Sequence, residues 1–376
     1  MKILCRGLNS NKNLKKLNLS TNIIGDDGIE MIIEILQKNN KIEKLKLGDN
    51  DLTEESLIMI SSFLKENKTM KTLDLSENLL MFEEGIDSFC ESLLYNNSLT
   101  NLNISGCNLD EEKFFKIFNS LKLNKNLKKL NISDNNLTDE NLSFLYQILI
   151  LNKNLNSLNI AFNEYSSSGV SHISNSLTQN YTLESLCISL DEKGILVLLD
   201  ALKSNKNLRH FKICYENEQI HRHFSKIVEY NSSLTSLDLS KNNIDDDSFK
   251  LVCESLKTNK NISILDLSEN LISEEAANCL FDVLKENKTL RKINLIFNYI
   301  SPRFVGNLNL HLENNFLWDP SIHSSMDKFF QKSIFSFLLI LKSFGKSTNA
   351  FKIPKFVVFE IIKKIDRNSF QEDKIN

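Results

Sequence analysis

The chain is predicted to fold as an α/β solenoid. Parallel strands line a concave face, helices stack on the convex face, and a small α-helical segment follows at the C-terminal end. Three observations carry this. A motif of the form L-x-x-L-x-L-x-x-N-x-L recurs eleven times, with first Leu-type positions at 14, 42, 70, 99, 127, 155, 183, 208, 234, 262 and 290. Successive spacings are 28, 28, 29, 28, 28, 28, 25, 26, 28 and 28 residues, and self-similarity at such a period marks a repeat architecture. Within each period the apolar pattern switches from strand alternation to helical spacing. Length and composition (376 residues, 41% hydrophobic) alone would allow two or three domains. A solenoid instead grows along one axis, each unit packing on its neighbours.

The elements of one repeat follow in order. Leu17 and Leu19 alternate with Lys16, Asn18 and Ser20, the pattern of a short strand buried on one face. Asn22 stands where the chain leaves the strand. An acidic pair comes next: Asp26-Asp27, Glu54-Glu55, Glu83-Glu84, Glu111-Glu112, Asp139-Glu140, Asp246-Asp247 or Glu274-Glu275. Apolar residues then recur at helical spacing, as in Ile29, Ile32, Ile33 and Leu36. Each helix closes on an asparagine, at 11, 39, 67, 96, 124, 152, 180, 205, 231, 259 or 287, expected as a left-handed C′ residue. The acidic pairs invite a catalytic or metal reading. Recurrence at every turn favours a structural one, in which each stabilises a helix N-terminus by roughly 0.3–1 kcal/mol. Ser301-Pro302 fits the same grammar, an N-cap followed by proline at N1.

Segments such as LKKLNLSTNII from Leu14, MKTLDLSENLL from Met70 and LTSLDLSKNNI from Leu234 resemble leucine-rich repeats of the ribonuclease-inhibitor type, which also form the sensor arms of NOD-like receptors. The resemblance covers residues 14–312 as eleven repeats. It implies a leucine-rich-repeat solenoid shaped as a horseshoe, and a non-enzymatic scaffold that binds a protein partner through its concave face and adjacent loops. It also implies that Asn22 and its counterparts bond the backbone of adjacent turns in a ladder, with Cys107 taking that place in the fourth repeat.

The grammar breaks in two places within the array. Residues 1–13 align with the second half of a repeat and carry no polar cap, which points either to a start site placed elsewhere or to a frayed half-repeat. The seventh and eighth repeats, from Leu183 and Leu208, are two to three residues short, with Asp191 and Glu216 in place of the ladder asparagine. The ascending loop is expected to tighten while strand pairing survives. Either the solenoid flattens locally there or a binding lip is built.

Outward strand positions are mostly small and polar. Candidate partner contacts are therefore the aromatics just beyond the strands, Phe162, Tyr165, Tyr215, Phe297 and Tyr299, since hot spots favour such anchors. Lys16, Lys44 and Lys46 make the early face basic, suited to steering a partner. Acidic residues interleave with them and the net charge is −3, so no nucleic-acid or membrane partner is expected. Cys214, His210, His221 and His223 suggest zinc, but His210 and Cys214 lie about 13 Å apart at strand rise, whereas zinc ligands must converge. No metal, cofactor or catalytic motif is expected. A resemblance in repeat type to activators of the nuclear-transport GTPase meets two departures: the tail here is basic, and Arg6 is the only arginine before Arg209.

Seven cysteines at scattered positions read as reduced thiols of a cytoplasmic protein. No secretory leader follows Met1, and sequons at Asn18, Asn103 and Asn131 would place glycans on strands. After residue 312 the composition changes: residues 301–376 hold 11 Lys/Arg against 7 Asp/Glu, 11 of the 24 Phe and the single Trp318. Residues 329–344 have helical apolar spacing, and Pro354 fits a second helix start. This ending resembles F-box and SOCS-box-like segments. The resemblance implies a ubiquitin-ligase substrate receptor using residues 325–367, with Pro354, Val357, Ile361 and Ile365 facing the adaptor. The plain alternative for residues 313–376 is a hydrophobic cap or a dimerising helical pair.

Overall fold

The structure is a computed structural model and describes residues 2–11, 13–39, 41–80, 83–215 and 220–317. Eleven strands form one parallel sheet in sequence order. They are β1 (Lys16–Asn18), β2 (Lys44–Lys46), β3 (Thr72–Asp74), β4 (Asn101–Asn103), β5 (Lys129–Asn131), β6 (Ser157–Asn159), β7 (Ser185–Leu190), β8 (His210–Tyr215), β9 (Ser236–Asp238), β10 (Ile264–Asp266) and β11 (Lys292–Asn294). Equivalent residues of successive motifs pair, for example Leu17 with Leu45 and Leu45 with Leu73. The open sheet alternating with helices is the expected α/β solenoid.

The helices lie between the strands: α1 (Lys2–Ser10), α2 (Gly25–Lys38), α3 (Glu54–Glu66), α4 (Glu83–Tyr95), α5 (Glu111–Leu123), α6 (Asp139–Leu151), α7 (Ser167–Gln179), α8 (Glu192–Ser204), α9 (Phe224–Tyr230), α10 (Asp246–Thr258), α11 (Glu274–Ala277), α12 (Cys279–Glu286) and α13 (Pro302–Leu317). One continuous core runs from Leu19 to Leu312. In it the inward strand leucines meet the apolar stripe of each helix, as Leu45 and Leu47 meet Ile29, Ile32 and Leu36. Helix α13 starts where Ser301 Oγ accepts the Phe304 N–H at 3.2 Å, and it runs through the expected repeat boundary at 312. Trp318 and the rest of the C-terminal segment, including Pro354, Val357, Ile361 and Ile365, lie outside the described residues. Among the described residues no helix is long and apolar enough to cross a membrane.

Three polar ladders hold the stack. The first is the expected loop ladder. Asn50 Nδ2 donates to the Leu19 and Leu47 carbonyls at 2.9 and 3.0 Å, and its Oδ1 accepts the Asn22 N–H at 3.1 Å. Cys107 stands in the same column, its thiol 3.3 Å from the Leu75 carbonyl.

The second ladder is a correction. The helix-end asparagines are not left-handed: Asn67 has φ −71° and ψ 132°, and Asn205 φ −69° and ψ 130°. Their side chains perform the capping instead. Asn96 Nδ2 donates to the Leu64 carbonyl one repeat back at 2.7 Å, while Oδ1 accepts the N–H of Ser98 and Leu99 at 2.9 and 2.7 Å. Left-handed backbone occurs elsewhere: just before the loop-ladder position at Thr21, Asp49, Glu77, Gly106, Asp134, Phe162, Lys241, Glu269 and Phe297, and after it at Ile23, Gly25, Asp51, Asn108 and Asn243.

The third ladder uses the acidic pairs. They occupy the first helical turn, and the first acid of a pair also caps the following helix. Asp26 Oδ1 accepts the Thr53 N–H at 3.1 Å, and Asp139 accepts the Ser166 and Gly169 N–H groups at 2.7 and 3.0 Å.

The two short repeats differ from expectation in detail. Asp191 is not a ladder residue: it is the N-cap of α8, its carboxylate accepting the Gly194 N–H at 2.6 Å. The residues saved are the ascending loop, so β7 extends to six residues and runs straight into that cap. Pairing with β8 then extends from Ser185–His210 to Leu190–Tyr215. Glu216 lies outside the described residues. Downstream, Asn242 Oδ1 is buried without a partner among the described residues, where the preceding repeat departs from the loop ladder. The expectation of seven free thiols also fails for one pair, since a disulfide joins Cys253 of α10 to Cys279 of α12. For these two the argument for a reducing compartment lapses.

Candidate functional site

The concave face is built from the outward residues of the eleven strands, and most of its polarity is internally satisfied. Asp266 accepts from Ser268 Oγ at 2.6 Å and Asn294 Nδ2 at 3.0 Å. Burial alone would raise its pKa, but these donors and the Lys212 charge hold it below the ordinary aspartate value. Asp74 similarly takes Ser76 Oγ at 2.7 Å and Asn103 Nδ2 at 2.8 Å. Such a surface is ordered in advance of any partner, so side-chain ordering on binding costs little.

At the early end, Lys16 lies beside Lys44 in register and Asn18 beside Lys46. Lys46 Nζ is 3.6 Å from Asp74. Lys15 and Lys71 both reach Glu43, at 3.0 and 3.4 Å, and these contacts lower the Glu43 pKa. The basic patch is thereby narrowed to Lys16 and Lys44, with Lys46 half-committed.

The loop edge carries a feature that sequence reasoning did not find. The left-handed column presents Asp49, Glu77 and Asp134 in succession before Phe162. Glu77 has its pKa raised, by burial first and then by the charges of Asp134 and Asp49. Gly106 interrupts the column, and a Cβ there would meet the Glu77 carboxylate at 2.4 Å. An open hollow follows, lined by Asp134, Asn135, Phe162, Asn163 and Glu164. The acidic edge was hidden because its members lie one or two periods apart in the chain; aligning the repeats in register would have displayed it.

The candidate aromatics separate by environment. Phe162 and Phe297 occupy the left-handed column and are 47% and 78% exposed. Tyr299 is 71% exposed, with its backbone bridged to Ser273. Ile296, beside Phe297 in the chain, is also exposed, while Ile264 is exposed at the far end of the strand, in register with Lys292. Tyr165 is part-buried: its hydroxyl donates to the Ile160 carbonyl and accepts the Ser189 N–H, both at 3.0 Å. Phe162 N–H reaches Ser189 Oγ at 2.8 Å. In regular repeats that N–H meets a backbone carbonyl, as Glu77 N–H meets Ser105 at 2.8 Å. Tyr165 and Ser189 thus patch the junction at which the ascending loop disappears. Tyr215 closes β8 opposite Leu190.

The residues considered for zinc do not converge. His210 is exposed on β8, while His223 ends a 3-10 turn on the helix side, 3.4 Å from Glu192. Among the described residues no group of three or more His, Cys, Asp or Glu side chains gathers into a metal cluster. The structure does bring Cys214 against Cys187 of the preceding repeat, a pairing that the sequence reading passed over.

Comparison with known proteins agrees with this architecture. The leucine-rich repeat family profile matches residues 10–32, 38–61, 123–145 and 230–253. No curated protein sequence matches the chain. A chain of the yeast Rad7–Elc1 complex superposes with a TM-score of 0.50 at 18% identity, covering 81% of this chain and 84% of that one. The leucine-rich repeat-containing protein LegL7 from Legionella pneumophila gives 0.50 at 17% identity, covering 82% and 94%. At these identities the likeness is one of fold. With the eleven-stranded parallel sheet, it establishes an α/β leucine-rich-repeat solenoid.

Proposed function

We propose that this chain is a non-enzymatic scaffold that binds a protein partner through its concave face and the loop edge beside it. The observation that carries this is the cluster on the last repeats, where Phe297, Tyr299 and Ile296 stand 78%, 71% and 55% exposed together. Contiguous exposed apolar surface marks interaction sites, and aromatic anchors dominate binding energy. The repeat period supports the ribonuclease-inhibitor type among leucine-rich repeats. The lysines at 16 and 44 and the acidic column at 49, 77 and 134 supply opposite charges at different places, which favours orientation over raw affinity.

The test is affinity capture with partner identification, comparing the wild-type chain with a Phe297→Ser/Tyr299→Ser variant. A partner retained by the former and lost by the folded variant is expected. A partner retained equally by both would move the site away from this edge. The reading as a ubiquitin-ligase substrate receptor rests on Pro354, Val357, Ile361 and Ile365 and their box-like resemblance. Its test compares the full chain with one ending at Ser325, and absence of cullin-adaptor proteins from both captures would end it.

A further inference from the structure

We propose that Cys187 and Cys214 form a two-thiolate site for a thiophilic d10 cation, zinc(II), on the concave face where the two short repeats meet. Their sulfurs lie 3.7 Å apart. Two sulfurs bound to one tetrahedral zinc at about 2.3 Å stand about 3.8 Å apart, so the pair already matches one edge of that coordination shell.

A disulfide fits the backbone less well. Cys187 is in register with Lys212, which makes Cys214 its diagonal neighbour across β7 and β8. One strand across and two residues along a parallel ladder is about 8 Å between Cα atoms at standard strand spacing and rise, whereas a disulfide spans about 4.4–6.8 Å. The two thiols are placed to hold an atom between them.

The setting also suits a cation. Cys187 is part-buried on the concave side and Cys214 is 6% exposed. Serine fills the place of Cys214 in the flanking repeats, at Ser189 and Ser240, and Asn159 and Lys212 fill the place of Cys187. Both substitutions to sulfur therefore fall in adjacent repeats, on touching positions. Lys212 Nζ is held by Asp238 at 2.9 Å, so its charge is balanced locally. On binding, two S–Zn bonds form, the thiol protons leave to solvent, and no electron is transferred. Zinc(II) with two thiolates is neutral, which leaves the Lys212–Asp238 pair undisturbed. Two coordination positions remain, for water or a side chain of a docked protein. The Cys214 contact and then burial push the Cys187 thiol up, and burial likewise raises Cys90 and Cys107, so what sets the pair apart is that its two sulfurs meet.

The experiment titrates cadmium(II) into the full-length protein without thiol reductant, so that the Cys253–Cys279 disulfide stays closed, and reads the thiolate-to-cadmium charge-transfer band. One equivalent is expected to saturate the band, and zinc(II) to displace it. Cys187→Ser and Cys214→Ser should each abolish it while the circular dichroism stays that of the wild type, and Cys5→Ser should leave it intact. Absence of a band in the wild type overturns the proposal. So does a band of undiminished amplitude in both serine variants.

Discussion

Asn205 Nδ2 donates to the Leu177 carbonyl at 2.7 Å, and this one contact carries the helix-end ladder across the first of the two short repeats. Its Oδ1 also accepts the Asn207 and Leu208 N–H groups at 2.9 and 2.8 Å. The loop ladder has no equivalent there, because Asp191 has become a helix cap. Asn205→Ala should therefore cost about 2–3 kcal/mol, the desolvation penalty of buried groups left unpaired. Urea unfolding checks it: the midpoint should fall with an unchanged m-value. A loss below about 0.5 kcal/mol would mean that solvent replaces the side chain.

That ladder also shows where sequence reasoning reached and where it stopped. The alternation of Leu17 and Leu19, repeated every 28 residues, located each strand, since burial on one face leaves a period-2 trace in the chain. The helix-end asparagines were located too, but with the wrong mechanism. Asparagine at a helix end suggests a left-handed backbone, and only the neighbouring repeat's carbonyl shows that its side chain is the capping group. The cap that Asp26 gives to Thr53, the acidic edge of Asp49, Glu77 and Asp134, and the meeting of Cys187 with Cys214 share one cause. Each joins residues one or two periods apart, so none leaves a local signature.

Tyr165→Phe tests the patch between the sixth and seventh repeats. The variant keeps the ring, which packs on the core, and loses the hydroxyl that joins the Ile160 carbonyl to the Ser189 N–H. We expect a stability loss of about 1–3 kcal/mol with partner affinity unchanged. If stability held and affinity fell, Tyr165 would be a contact residue instead of a tether.

Acid should loosen the stack through the carboxylates that cap neighbouring helices. Burial opposes the charged form of Asp26, yet donors from Ser56 and Thr53 outweigh it and lower its pKa. Glu274 is lowered by Ser301. A group whose folded pKa is depressed contributes stability above its unfolded pKa, and that contribution disappears as pH falls through the folded value. The melting temperature should thus drop as pH is taken from neutrality through about 4 and below. Asp26→Asn should melt lower than wild type at neutral pH and show a shallower acid decline. An identical acid profile in the variant would remove Asp26 from this linkage.

Phe297 separates binding from stability. Its φ is 60°, a region in which bulky residues are outliers and asparagine is tolerated. Its ring is 78% exposed, so folding gains little from it. Phe297→Asn should accordingly leave thermal stability unchanged or raise it by up to about 1 kcal/mol, through relief of the left-handed penalty. The same change should weaken a captured partner by about 2 kcal/mol or more if the ring is an anchor, which is roughly thirtyfold in Kd. Calorimetric melting and a binding titration on the same preparation read the two effects independently. A large loss of stability would show the ring to be packing within the fold, and the partner would then have to be sought at Phe162 and the acidic column beside it.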